Sequence, residues 1–285
     1  MPARKAPKDQ PPVLEHLRVP IGQPEIPLPG DNSHSDHRPI REKIEDFFDS
    51  REAARQFMKP AFRNYTLMRH HKGKNFLATP KLFRAETALY FPNMQGYTLA
   101  DVKGIHDTTK VMRGKYSIVR MLCDQWSVDQ ANTYTSAEHN PALNAELERL
   151  GEKGLQIVNI TIMEGWIRRF LVWYHTDWQR EQMPESEWGR WFVVTKGISD
   201  YTMLDINMIN AKVGHVFLVD TQCKIRWTGC GDATDQEKQS LVAAVRKLVE
   251  GPSASTGAGA VKTKPSSYKP PEKPPLMPHQ EVNSS

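Results

Sequence analysis

No stretch constrains this chain more than Ser117-Ile-Val-Arg-Met-Leu-Cys123. The run is short, apolar and rich in β-formers, and a tight Arg113-Gly-Lys115 turn leads into it. Asp124 and a polar, helix-like segment follow at once. A buried strand that ends at a helix start is the usual seat of chemistry in an open α/β sheet, because strand end and helix N-terminus face one crevice. Here the seat is poorly equipped for chemistry: no cysteine stands between Asp124 and Gln130.

The rest of the compact part follows from that strand. A helix is expected from about Ser127, irregular through Asn140-Pro141 and resumed over Ala142 to Gly151, with Gly151 and Gly154 ending it. Leu155 to Ile162 is a strand by its β-branched content. Glu164 to Arg180 reads as a helix, with Trp166, Phe170, Trp173 and Tyr174 on one stripe, and Met183-Pro184 breaks it. Trp188 to Val194 is the next strand and Asp200 to Asn210 a short helix. Val216 to Val219 and Lys224 to Trp227 pair as a hairpin through Asp220-Thr-Gln-Cys223. Thr234-Asp-Gln-Glu237 is a capping box that opens a helix reaching about Val249. A βαβ crossover followed by a hairpin and a covering helix gives a mixed sheet with helices on both faces. That α/β arrangement is thioredoxin-like.

Four segments are expected along the chain. Residues 1–38 are Pro-rich, polar and without period, and read as disordered. Residues 39–79 read as a basic amphipathic helical extension, with Ile40, Ile44, Phe47 and Phe48 recurring on one face. Its second half carries Lys59, Arg63, Arg69, His70, His71, Lys72 and Lys74, interleaved with Phe62, Tyr65 and Phe76. This is either a patch for anionic lipid or an acidic partner, or a solvated face. Residues 80–250 form the folded domain, and 251–285, rich in Pro, Ser and Lys, a disordered tail.

The net charge of +5 favours an acidic partner, an anionic membrane surface or nucleic acid without choosing among them. No RNA-binding motif accompanies the basic stretch, so no nucleic-acid partner is expected. No apolar run approaches the roughly 20 residues of a membrane span. The three cysteines are too few and too odd for a disulfide scaffold, which points to an intracellular protein with reduced thiols. Met1-Pro-Ala-Arg-Lys-Ala-Pro-Lys is basic, as import presequences are, but its prolines spoil the required helix. The true start lies upstream or targeting is unconventional.

Two resemblances attach to particular residues. Pro92-Asn-Met-Gln-Gly96, Leu99 and Arg113-Gly-Lys115 resemble the entry to thioredoxin-like reductases and peroxidases, and Val213 to Asp220 with Lys224-Ile-Arg226 resembles their hairpin. A narrower set is similar to the fungal form of the mitochondrial ATP synthase assembly factors called ATPase complex subunit 10. It comprises Leu82-Phe-Arg-Ala-Glu86, Ala88 to Gly96, Glu187-Trp-Gly-Arg190, Ile209 to Gly214 and Ile225 to Asp232. That resemblance covers about residues 80–250. It implies a non-enzymatic, chaperone-like factor peripheral to the matrix side of the mitochondrial inner membrane. The factor would bind the new proton-channel subunit (subunit 6, or a) and promote its joining with the subunit c ring.

The rival expectation is a thiol peroxidase or oxidoreductase using Cys123. Such enzymes need a nucleophilic Cys at a helix N-terminus and normally a second Cys three residues on. Cys123 stands alone before that window, and Gly214 occupies the place of the cis-proline that redox members carry before the hairpin. Cys223 reads as a turn residue and Cys230 as the exit from the last strand. Neither they nor His34, His37, His70 and His71 have ligand spacing for a metal. No catalytic residue, metal or cofactor is therefore expected. Arg84, Tyr90, Pro92, Asn93, Trp126 and Gly214 are the candidate client contacts.

Overall fold

The computed structural model describes residues 13–32, 71–163, 179–181, 183–208, 210 and 212–251. Residues 164–178 of the helix expected over Glu164 to Arg180, the basic stretch up to residue 70 and the tail beyond 251 lie outside them, while 179–181 are helical. Seven strands form one sheet: β1 (Gln95–Thr98), β2 (His106–Asp107), β3 (Tyr116–Leu122), β4 (Leu155–Ile162), β5 (Trp191–Val194), β6 (His215–Val219) and β7 (Ile225–Cys230). Their spatial order is β2-β1-β5-β4-β3-β6-β7. β3 runs parallel to β4 and antiparallel to β6, with Val119 opposite Val158 on one side and Phe217 on the other. β4 and β5 are parallel, and β6 and β7 form the antiparallel hairpin. The expected mixed sheet and its thioredoxin-like order are present.

Helices α1 (Thr108–Met112), α2 (Gln125–Thr135), α3 (Pro141–Leu150), α4 (Asp200–Asp205) and α5 (Asp235–Glu250) accompany the sheet. Both faces of β3 are buried, which is why its sequence is a nearly continuous apolar run. Ile118 and Leu122 join Tyr134, Leu143, Trp227 and Leu241 under α2, α3 and α5. Val119 and Met121 join Phe91, Met94, Val158 and Phe217 on the other face. Arg120 interrupts the first face, and its Nη2 donates to Asn132 Oδ1 of α2 at 2.7 Å. The capping box of α5 forms as expected, with Glu237 N donating to Thr234 Oγ1 and Thr234 N to Glu237 Oε2.

The boundary of the domain differs from the sequence expectation. Residues 13–32 are not free chain but a strap laid along the domain. Leu17 N donates to Leu77 O at 2.9 Å, Gly22 N to Asp205 O at 2.7 Å, and Gln23 and Tyr90 exchange both backbone bonds at 2.9 Å. A Pro-rich segment lacks the donors for its own helix or sheet, but single extended residues can still bond to an existing edge. Gly22 is required there: its φ is +129°, and a Cβ would lie 2.5 Å from Tyr90 O.

Asn93 and Asp107 fasten the end of the strap. Asn93 Nδ2 donates to Asp31 O and to Asp107 Oδ1, each at 2.9 Å, and Asn93 Oδ1 accepts from Thr109 N at 3.1 Å. Asp107 Oδ1 also accepts from Gly30 N at 2.9 Å. Burial alone would raise the Asp107 pKa, but hydrogen bonds from Gln95, Gly30, Asn93 and Lys110 outweigh it and hold the value at about 2. A carboxylate depressed by folding stabilises fully above its unfolded value near 3.9 and loses that contribution as pH falls through the folded value. The strap end should therefore loosen between about pH 4 and pH 2, read by hydrogen exchange at residues 24–32. Asn93→Ala should cost about 1–3 kcal/mol and expose the same residues to proteases at neutral pH. Unchanged exchange in that variant would refute the fastening role.

Residues 71–79, expected at the end of a basic solvated helix, are part of the core edge. Phe76 and Ala78 are buried. Lys72 pairs with Asp232 at 2.9 Å, and Lys74 is buried against Glu237 at 2.7 Å. Lys74 is therefore no open cation for a lipid surface, whereas Lys72 stays largely exposed beside Asp232.

Candidate functional site

At the end of β3, where the sequence predicts a crevice, stands a helix cap. Asp124 is the N-cap of α2, and Ser127 N donates to its Oδ1 at 2.9 Å. The Ser127 hydroxyl donates to Asp124 O at 2.6 Å and accepts from Asp124 N at 3.0 Å and Cys123 N at 2.8 Å. The helix thus begins two residues earlier than its apolar pattern indicates, because a polar cap rather than hydrophobic spacing starts it.

Gly214 closes the opposite wall. A Cβ there would stand 2.3 Å from Ser127 O, so this loop approaches the α2 backbone closer than any side chain permits. Gly214 N donates to Gln130 Oε1 at 3.0 Å, while Gln130 Nε2 donates to Lys72 O at 3.0 Å. Gln130 therefore ties the loop before β6, α2 and the 71–79 segment together. Half-buried Trp126 packs against a small cluster of Phe76, Val213 and Cys230, with Leu17 of the strap beside it.

Thiol exchange requires a sulfur held at the positive end of a helix, where the dipole favours thiolate, and a partner sulfur within reach. Asp124 and Ser127, three residues apart at the N-cap and in the first turn of α2, carry oxygen instead. Cys123 lies one residue before the cap and is half-buried. Burial raises the Cys223 pKa to about 11, and burial also raises that of Cys230. Both are neutral core thiols at ordinary pH. Cys223 sits in the β6–β7 turn with φ of +64°, and Cys230 ends β7, as expected from sequence.

His215 is fully buried at the start of β6, with Nδ1 2.8 Å from Val213 O and its ring stacked on Phe217. Desolvation lowers its pKa to about 4, so it is neutral at ordinary pH. Among the described residues, no group of three His, Cys, Asp or Glu could hold a metal ion, and no helix is long and apolar enough to cross a membrane. His34, His37 and His70 lie outside them.

The six residues expected to contact a client are not one surface. Pro92, Asn93 and Gly214 are buried, and a buried residue offers a partner nothing directly. Asn93 holds the strap and Gly214 lets the crevice close. Arg84 is exposed beside the outer edge of β7, where Phe83 N donates to Arg226 O at 2.8 Å. Tyr90 is half-buried under the strap, with the Lys224 ammonium 5.3 Å from its ring centroid. Trp126 stands apart at the crevice. Sequence reasoning missed Gln130, Asp107 and Lys74, polar residues that each bond a partner 77 to 163 positions away. No local pattern marks any of the three.

Comparison with known proteins places the molecule. A family described as ATP10 protein matches residues 2–248. The chain belongs to that family. Among the relatives of this ATP10 family member, the "Mitochondrial ATPase complex subunit ATP10" of Eremothecium gossypii is 28% identical, covering 86% of this chain and 88% of its own. The protein of the same description from Saccharomyces cerevisiae is 26% identical over 82% of this chain and 87% of its own. Of solved structures, a thiol:disulfide interchange protein from Bacteroides sp. overlaps 59% of this ATP10 chain and 92% of its own. That overlap has 20% identity and a TM-score of 0.37.

Proposed function

We propose that this ATP10 family chain is an assembly factor for the mitochondrial proton-transporting ATP synthase and works by binding rather than catalysis. Its client is the newly made proton-channel subunit (subunit 6, or a), which it holds until joining with the subunit c ring. It acts at the matrix side of the inner membrane as a peripheral protein. The observation that carries the reading is the pairing of relatives described as mitochondrial ATPase complex subunits with a helix start capped by Asp124 and Ser127 in place of cysteines. Exposed Arg84 and half-buried Tyr90 and Trp126 are the client contacts that stay accessible among the six.

The test is rescue of a cell lacking the chain, with ATP synthase intermediates resolved on native gels. A chain carrying Cys123→Ser, Cys223→Ser and Cys230→Ser together should restore the complete enzyme as well as the natural chain does. Failure traced to Cys123→Ser alone, with peroxide or disulfide turnover by the natural protein, would favour the thiol enzyme instead.

A further inference from the structure

Most of the large hydrophobic side chains exposed among the described residues lie on one segment, although Ile105, just before β2, stands elsewhere. Val13, Val19, Ile26 and Leu28 all belong to the strap, at 89%, 64%, 58% and 55% exposure. Tyr201 stands on α4, whose Asp205 O accepts the strap bond from Gly22 N. Single exposed aliphatics mean little, but a run of them on one ordered segment marks an interaction surface. Pro27 is buried between Ile26 and Leu28, so the extended chain turns these two outward together.

Charge selects the kind of partner. Glu25, next to Ile26, faces Asp205 closely enough that the two carboxylates repel each other. Asp205 has its pKa raised by burial and then by Glu25. Among the described residues, no basic side chain bonds to either carboxylate. Arg113 Nη2 donates to Pro27 O at 2.8 Å. Against that guanidinium stand the carboxylates of Glu25, Asp205 and Asp31, whose Oδ2 accepts from Leu28 N at 2.7 Å. The acidic excess beside outward aliphatics complements a cation among apolar groups. The same carboxylates repel anionic lipid headgroups, which argues against a bilayer as the occupant.

We propose that the strap, through Ile26 and Leu28 with Glu25 and Asp205, docks a basic, aliphatic-rich segment of a partner protein chain. The inference rests on the assembly reading for its setting and adds the surface and the chemistry of what it takes.

A photo-crosslinking side chain placed at Leu28 of the full chain, in intact mitochondria, tests this, with one at Gln239 on α5 as control. The adduct from position 28 should map to a partner peptide in which Lys or Arg stands among aliphatic residues. Glu25→Lys with Asp205→Lys should cut the yield by more than about tenfold without moving the unfolding midpoint. If that pair disturbs folding, Glu25→Gln with Asp205→Asn should lower the yield in the same direction. Adducts to lipid or to an acidic or polar segment, equal yield after charge removal, or the same adduct from Gln239 would each overturn the proposal. Full rescue of ATP synthase by the charge-reversed chain would end this inference and leave the assembly reading standing. Failure of the natural chain to rescue would end the assembly reading itself.

Discussion

Lys74→Met should lower stability by about 3–5 kcal/mol, the range for removing one partner of a buried ion pair. Lys74 Nζ donates to Glu237 Oε2 at 2.7 Å, to Asp232 O at 2.7 Å and to Tyr134 OH at 3.2 Å. Glu237 also bonds elsewhere, its Oε1 accepting from Ala78 N at 2.8 Å and its Oε2 from Thr234 N at 2.9 Å. One carboxylate thus caps α5 and grips the 71–79 segment, and Lys74 neutralises it. Without the ammonium the carboxylate stays buried and uncompensated, so the penalty is mainly its desolvation. Denaturant unfolding gives the size of the loss. The double change Lys74→Met with Glu237→Gln should lose less than the two single changes added together. A loss under about 1 kcal/mol for the single change would contradict a buried pair and agree with a solvated basic face.

Trp227→Ala is expected to cost a comparable amount, about 3–5 kcal/mol, for a different reason. Trp227 is fully buried on β7, in edge-to-face contact with Tyr134 at 5.9 Å and 73°. Its Nε1 donates to Ser240 Oγ at 2.7 Å, and Ser240 in turn donates to Thr79 O at 3.1 Å. Truncation leaves a cavity where sheet, α2 and α5 meet, and frees a hydroxyl that linked α5 to the N-terminal edge. Trp227→Phe should recover most of the packing but not the hydrogen bond, separating the two contributions in thermal unfolding. Similar stability for the natural and Ala chains would mean that this junction does not hold the layers together.

The elements most legible in the sequence were those governed by local patterns. β3 and β4 are buried on both faces, so their runs are apolar and β-branched almost without interruption. Thr234-Asp-Gln-Glu237 announced α5 because a capping box is complete within four residues. The equivalent device at α2, Asp124 with Ser127, is just as local. It is less conspicuous because Ser127, rather than the Glu or Gln of the usual capping box, stands at its third helical position. For Gly214, the fold position was legible while the reason, contact with Ser127 O, belongs to a residue far away in the chain.

The N-terminal boundary could not be read at all. Residues 13–32 have the composition of a segment unable to bury enough apolar surface to order itself. They are ordered because Leu77, Tyr90, Asn93, Asp107 and Asp205 offer bonds from a finished surface. Lys74 was invisible as a core residue for the same reason. A lysine among lysines looks solvated until Glu237, 163 positions on, is brought to it.

By itself, then, the order of residues determined strands β3 to β7, the cap of α5 and the lack of a dithiol at the start of α2. Each of these depends on neighbours within a few positions. Tertiary structure alone decided which polar residues are buried, where the domain begins and which aliphatics stay in water. Those outcomes depend on desolvation and on partners supplied by distant chain, which no local window contains.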